Sequence, residues 1–236
     1  MVGVTSLKGA YLSLGLPEIK TQIPDEATVE GIQAKITNPA ILNAMGIDDV
    51  LLQACYHAEM AANLLDSTSE TGSLYFLDAA EEHYQSALSF FPIGMRERMM
   101  LITASAMSYF QLEQYFAQRI ARGDQLTQSE ALHYHLSRGA DAQIYAEIAA
   151  MATPSTGLVS GFRHRQALWD LTDEVFDLEQ DKRTLGVNIL LMADLDDRTR
   201  LKAFGELLYQ QGCSLDIPNP LRTALNAEYE HFLAVV

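Results

Sequence analysis

Residues 167–188 read ALWDLTDEVFDLEQDKRTLGVN, and this stretch sets the frame for the whole chain. On a helix each residue advances about 100°. Asp170, Asp173, Glu174, Asp177 and Asp181 then gather in an arc of roughly 100°. Leu168, Leu171, Val175 and Leu178 flank this arc on one side, and Trp169 and Phe176 on the other. A separate polar face carries Arg165, Thr172, Glu179 and Arg183 and is expected to look outward. Acids placed between two apolar shoulders are expected to point into the protein, where they repel one another and lose solvation unless cations compensate them. Oxygen donors of this kind suit Mg²⁺, which bridges carboxylates to a substrate phosphate. The five acids are therefore candidate metal ligands.

Helical periodicity extends outward from there in both directions. Residues 47–66 form a strong amphipathic pattern in which Glu59, Asn63 and Asp66 share a face, at the spacing of 170, 174 and 177 in the later stretch. These three are candidates for a second wall of metal ligands. Further helices are expected over 25–36, 74–90, 96–121, 127–151, 158–182, 197–211 and 221–234, with one more turn over 40–46 and a short apolar segment, helical or irregular, over 188–193; Gly46, Gly123, Gly186 and Gly212 and the Pro92 and Pro220 signals mark their ends. Residues 1–25 hold Pro17 and Pro24 and read as an arm. No segment alternates with period two, and no phosphate-binding glycine loop or internal repeat is present. The expectation is an all-α single domain, 1–236, of about eight or nine helices around a central cavity.

The chain has 236 residues, 48% of them apolar, and a formal charge of −15. That balance disfavours nucleic acid and anionic membrane as partners, because both need a basic surface. Without a basic leader or a run of about 18 apolar residues, neither a signal peptide nor a membrane span is expected. The two cysteines, Cys55 and Cys213, belong to no CxxC, which fits a reducing, cytoplasmic setting. Of the six histidines, His57 and His83 raise the question of a carboxylate di-iron bundle. That centre needs Glu-x-x-His, whereas Ala54 and Ala80 stand at the required positions, so the reading is disfavoured.

Residues 168–188 resemble class I isoprenoid synthases, the trans-prenyltransferase and terpene-synthase superfamily. LWDLTDEVFDLEQDKRTLGVN follows that family's AFQIxDDxLDxxGDxxxLGKP without a gap, so that Asp173-Glu174-x-x-Asp177 stands at its second aspartate-rich motif. Ser137-Arg138-Gly139-Ala140 falls where the family has Lys-Thr-Ala, and the order of helices agrees from about residue 50 to 210. The resemblance implies an isoprenoid-synthase-like bundle binding a prenyl diphosphate through Mg²⁺, and is compatible with a homodimer. It implies catalytic roles for Asp173, Asp177 and Arg138 and a diphosphate contact from Arg138. Separately, Arg163, seven residues before Asp170 on the same face, either neutralises the acids or reaches a diphosphate, and Lys182 and Arg183 are surface charges or close over a ligand from the helix end. The chain departs from the pattern in three places. Leu64-Leu65 sits near the place of the paired aspartates of the first motif, residues 67–72 carry no basic residue, and Val187 follows Gly186 where the family has Lys. Consumption of one allylic diphosphate is therefore expected in preference to chain elongation. A non-catalytic isoprenoid-binding or accessory helical protein is the alternative.

Overall fold

The computed structural model describes residues 3, 5–15, 26–184, 188–195 and 197–236. Among them the chain is entirely helical, without strands. The elements are α1 (Leu7–Ser13), α2 (Glu26–Ala34), α3 (Asn38–Ala44), α4 (Asp49–Thr71), α5 (Leu74–Phe90), α6 (Ile93–Ala106), α7 (Ser108–Ala121), α8 (Gln128–Arg138), α9 (Ala142–Ala150), α10 (Leu158–Thr184), α11 (Ile189–Met192), α12 (Arg198–Cys213) and α13 (Asn219–Val235). No described helix is long and apolar enough to cross a membrane. The chain divides into two compact units, residues 1–108 with 143–154, and residues 109–142 with 155–236.

In the first unit, α4 and α5 form a hairpin across Gly72-Ser73, with α1 packed on α5 and α2 and α3 on α4. Asp48 caps α4 by accepting from the Leu51 N–H, and Gly72 ends it in the left-handed region at φ 69°. The helix runs five residues beyond the expected 47–66 pattern, to Thr71, and there Thr68 and Thr71 turn their hydroxyls back onto backbone carbonyls. The N-terminal arm contains a helix that its weak periodicity conceals: Ser6 caps α1, and Leu7 and Tyr11, one turn apart, are buried.

Two expected long helices are each broken once. The 96–121 pattern splits at Met107, where Thr103 back-bonds to Met99 and Ser108 to Ser105, a competition with the helical ladder that bends or interrupts helices. The 127–151 pattern splits at Gly139, where a Cβ would meet the Arg163 Cα at 3.3 Å. The other end of α8 is as expected: Thr127 and Glu130 form a reciprocal capping box.

The second unit is built on α10, against which α8, α11, α12 and α13 pack. Close approach requires glycine along this layer. A Cβ on Gly161 would stand 2.9 Å from Leu221, one on Gly212 would stand 2.8 Å from Leu225, and one on Gly205 would overlap the Phe232 ring. Leu221, Leu225 and Phe232 are the buried side chains of α13.

Candidate functional site

The acidic stripe of α10 divides along its length. Asp170 and Glu174 are buried, Asp173 is half-buried and Asp177 is exposed. The two inner acids meet one cation, Arg138 at the end of α8. Its Nη1 donates to Glu174 Oε1 at 2.6 Å, and its Nε lies 3.6 Å from Asp170 Oδ2, an ion pair longer than a hydrogen bond. Gln166, one turn before Asp170, donates to its Oδ1 at 2.9 Å. Asn188 donates to the Glu174 carbonyl and accepts from the Leu190 N–H, tying the stripe to α11. Burial works against the Arg138 charge, but Asp170, Tyr109, Tyr134 and Glu174 outweigh it and hold the guanidinium pKa well above its ordinary value.

Tyr134 and His135 on α8 complete the surroundings, both fully buried. Neither the Tyr134 hydroxyl nor either ring nitrogen of His135 has a partner in good hydrogen-bonding geometry. Burial pushes the His135 pKa down to about 3, and the Arg138 charge acts in the same direction, against a weaker opposing effect of the Ala167 backbone. The ring is therefore neutral at pH 7. Burial likewise raises the Tyr134 phenol. Tyr109 on α7 donates to Glu113 at 3.0 Å.

The polar face expected to look outward is inside over its first half. Arg165 and Thr172 are each 3% exposed. Arg165 Nη2 donates to Glu228 of α13 at 2.6 Å, and the Thr172 hydroxyl donates to the Leu168 carbonyl. The correction follows from helix count: α10 is covered by neighbours around most of its circumference here, so a buried cation is admitted because α13 supplies its acid. Further along the helix exposure takes over. Phe176, expected as an apolar shoulder, is 64% exposed.

Arg163 is half-buried, and its Nε donates to the Gly139 carbonyl at 3.3 Å, so it closes the end of α8. The side chains of Asp181, Lys182 and Arg183, and residues 185–187 with the expected Leu-Gly pair, lie outside the described residues. In the first unit, Asn63 and Asp66 are half-buried and Glu59 is buried. The Glu59 carboxylate accepts from the Thr37 N–H at 3.1 Å, from the Asn38 N–H at 3.0 Å and from Asn38 Nδ2 at 2.8 Å. It serves as the anion at the N-terminus of α3, whose own cap residue Thr37 makes no side-chain cap bond.

Among the described residues no group of three or more His, Cys, Asp or Glu side chains is arranged to hold a metal ion. Asp173 and Asp177, one turn apart on α10, still offer two oxygen donors at accessible positions. Reasoning from sequence missed Gln166, Asn188, Tyr134 and His135. The first and third carry a usable signal, since each stands four residues before a charged member of the cluster, Asp170 and Arg138.

No protein-family model, no curated protein and no solved structure matches this chain.

Proposed function

We propose that this protein is a divergent isoprenoid-synthase-like bundle that takes one prenyl diphosphate through Mg²⁺ at Asp173 and Asp177 and does not elongate chains. The observation carrying the reading is the division of the stripe. Arg138 meets Asp170 and Glu174 inside the unit, while Asp173 is half-buried and Asp177 exposed. Mg²⁺ commonly keeps several waters and uses one or two carboxylates plus substrate phosphates, so the outer pair fits it. Bound there, the ion would draw charge off a departing diphosphate. The work of the chain itself is to bind and orient. Asp173 and Asp177 supply oxygens, and Arg138 holds the inner turn of α10 against α8, acting as a positioning residue in place of the diphosphate contact that the resemblance implies.

A second reading, an accessory helical protein without turnover, has one specific observation behind it: Glu59, the buried acid of the α4 stripe, is committed to the α3 N-terminus. One experiment separates the two. Thermal melts with Mg²⁺, pyrophosphate and both should show more than additive stabilisation, about 2.7 kcal/mol at a hundredfold excess over Kd. Asp173→Asn should remove the joint effect. Incubation with Mg²⁺ and dimethylallyl, geranyl, farnesyl or geranylgeranyl diphosphate, with and without labelled isopentenyl diphosphate, then reads turnover. Label in a longer chain overturns the first reading. Joint binding without turnover favours the second, and strictly additive melts remove the shared site.

A further inference from the structure

The α4–α5 hairpin brings together two histidines that stand 26 residues apart in sequence. His57 Nδ1 and His83 Nδ1 are 2.9 Å from each other, with ring centroids 4.9 Å apart. The rings are held by their neighbours. Phe90 stacks on His57 at 5.7 Å and 14°, and Tyr56 meets the His57 ring edge-on at 5.4 Å. Both imidazoles are half-buried, so the pair is fixed from within and reachable from one side.

A nitrogen–nitrogen contact of this length requires one Nδ1–H to donate and the other Nδ1 to accept. One lone pair is thus already aimed into the gap. The second becomes available when the donor ring moves its proton from Nδ1 to Nε2, a tautomer change that loses no proton overall. The pair can therefore present two imidazole nitrogens without either ring changing charge. Burial lowers the pKa of both rings, and for His83 the neighbouring His57 adds to the effect while Glu82 opposes it.

The spacing discriminates among ions. With metal–nitrogen bonds of about 2.05 Å, two ligands at a right angle stand about 2.9 Å apart, and two in a tetrahedron about 3.3 Å. The observed 2.9 Å is that of an N–H···N bond and equals the first separation, so the rings need to turn off the N–N axis, but not to part, in order to converge on such an ion. Right-angled nitrogen donors suit tetragonal Cu²⁺ or Ni²⁺, tetrahedral Zn²⁺ requires the rings to part, and hard cations such as Mg²⁺ prefer oxygen.

We infer that His57 and His83 form a two-imidazole site for a tetragonal divalent transition metal ion, Cu²⁺ ahead of Ni²⁺ and Zn²⁺, that clamps α4 to α5. Water completes the coordination on the open side. The site lies in the first unit and is independent of the acidic stripe of α10.

The test uses the purified full chain, stripped with EDTA and titrated with Cu²⁺, Ni²⁺ or Zn²⁺ chloride alone. One Cu²⁺ per chain is expected, with an electron paramagnetic resonance spectrum showing a tetragonal centre coupled to two imidazole nitrogens, and a raised midpoint of thermal unfolding. His57→Gln and His83→Gln should each weaken Cu²⁺ binding at least tenfold, whereas replacing the exposed His133 by Gln should leave it unchanged. Binding unaltered by both substitutions, or no saturable binding, overturns the inference. Should a variant fail to fold, the spectrum of the native chain decides: coupling to two imidazoles supports the site, and its absence overturns it.

Discussion

Glu59 in α4 and Glu174 in α10 are both 5% exposed, and the chain accommodates them by different means. Glu59 is held by the Asn38 side-chain amide and by two backbone N–H groups at the start of α3, and the backbone donors do not titrate and are deleted by no side-chain substitution short of proline. Glu174 is paired with the Arg138 guanidinium, which it shares with Asp170. A chain with a formal charge of −15 has few cations to place indoors, and helix ends offer it a second source of positive potential. The comparison also separates robustness: the Glu59 charge is spread over backbone donors at the start of α3 and the Asn38 amide, while Asp170 and Glu174 share one guanidinium.

The largest effect should come from removing that one cation. Arg138→Met leaves two buried carboxylates without their guanidinium and should cost about 3–5 kcal/mol. Unfolding in urea, followed by the fluorescence of Trp169, the single tryptophan, which lies on α10 itself, reads this unit directly. A loss below about 1 kcal/mol would break the comparison. Adding Asp170→Asn and Glu174→Gln to Arg138→Met should recover much of the loss, since the charges left behind are what makes it large.

Next comes acid. The unfolded His135 takes a proton near its ordinary 6.5, and the folded one only at about 3. Below pH 6.5 the unfolded state therefore binds more protons, and stability falls as pH drops from 6.5 towards 3, by up to ~1.4 kcal/mol per pH unit from this residue. The urea midpoint measured across that window should flatten in His135→Leu. An unchanged slope would rule out a buried neutral imidazole as the source of acid sensitivity.

Glu59→Gln should cost less, about 1–3 kcal/mol, because the amide keeps one acceptor oxygen for α3 while losing the charge that its N–H groups favour. Thermal unfolding followed by circular dichroism measures it. A penalty as large as that of Arg138→Met would erase the proposed difference between spread and concentrated compensation. The smallest effect on stability belongs to Asp177→Asn, at an exposed position, within about 0.5 kcal/mol. The same substitution should abolish the joint action of Mg²⁺ and pyrophosphate in melts, and a clear destabilisation without that loss would place Asp177 with the inner acids.

Helical period was enough to find α4, α5, α10, α12 and α13, and to set Asp170, Asp173, Glu174 and Asp177 along α10, because an amphipathic pattern over several turns is redundant. It could not say where along α10 the stripe passes from interior to surface, since that depends on which helices cover it. Arg165 shows the difficulty: its burial rests on Glu228, 63 residues away. Glu59 is similar, for its partners are backbone groups 21 and 22 residues upstream that almost any residue type would present. The His57–His83 contact joins two patterns that were each readable, but the rotation of one helix against the other was not. The missed breaks at Met107 and Gly139 arise from side-chain hydroxyls and from a close neighbour, both invisible to a hydrophobic pattern.

The three glycines beneath α13 have a bearing on how such a sequence can drift. Each is matched to one large residue of that helix: Gly161 to Leu221, Gly212 to Leu225 and Gly205 to Phe232. Any replacement of a glycine adds a side chain; at Gly161 and Gly212 it meets methyl ends of Ile217, Leu221 and Leu225 that can shift, whereas at Gly205 it meets a rigid ring, so that position cannot vary alone. In descendants of this chain, alanine at 205 should be found beside a residue smaller than Phe at 232, and the two should change together or not at all. Phe232 would then evolve as half of a pair, its mutational path set by atoms that its partner lacks.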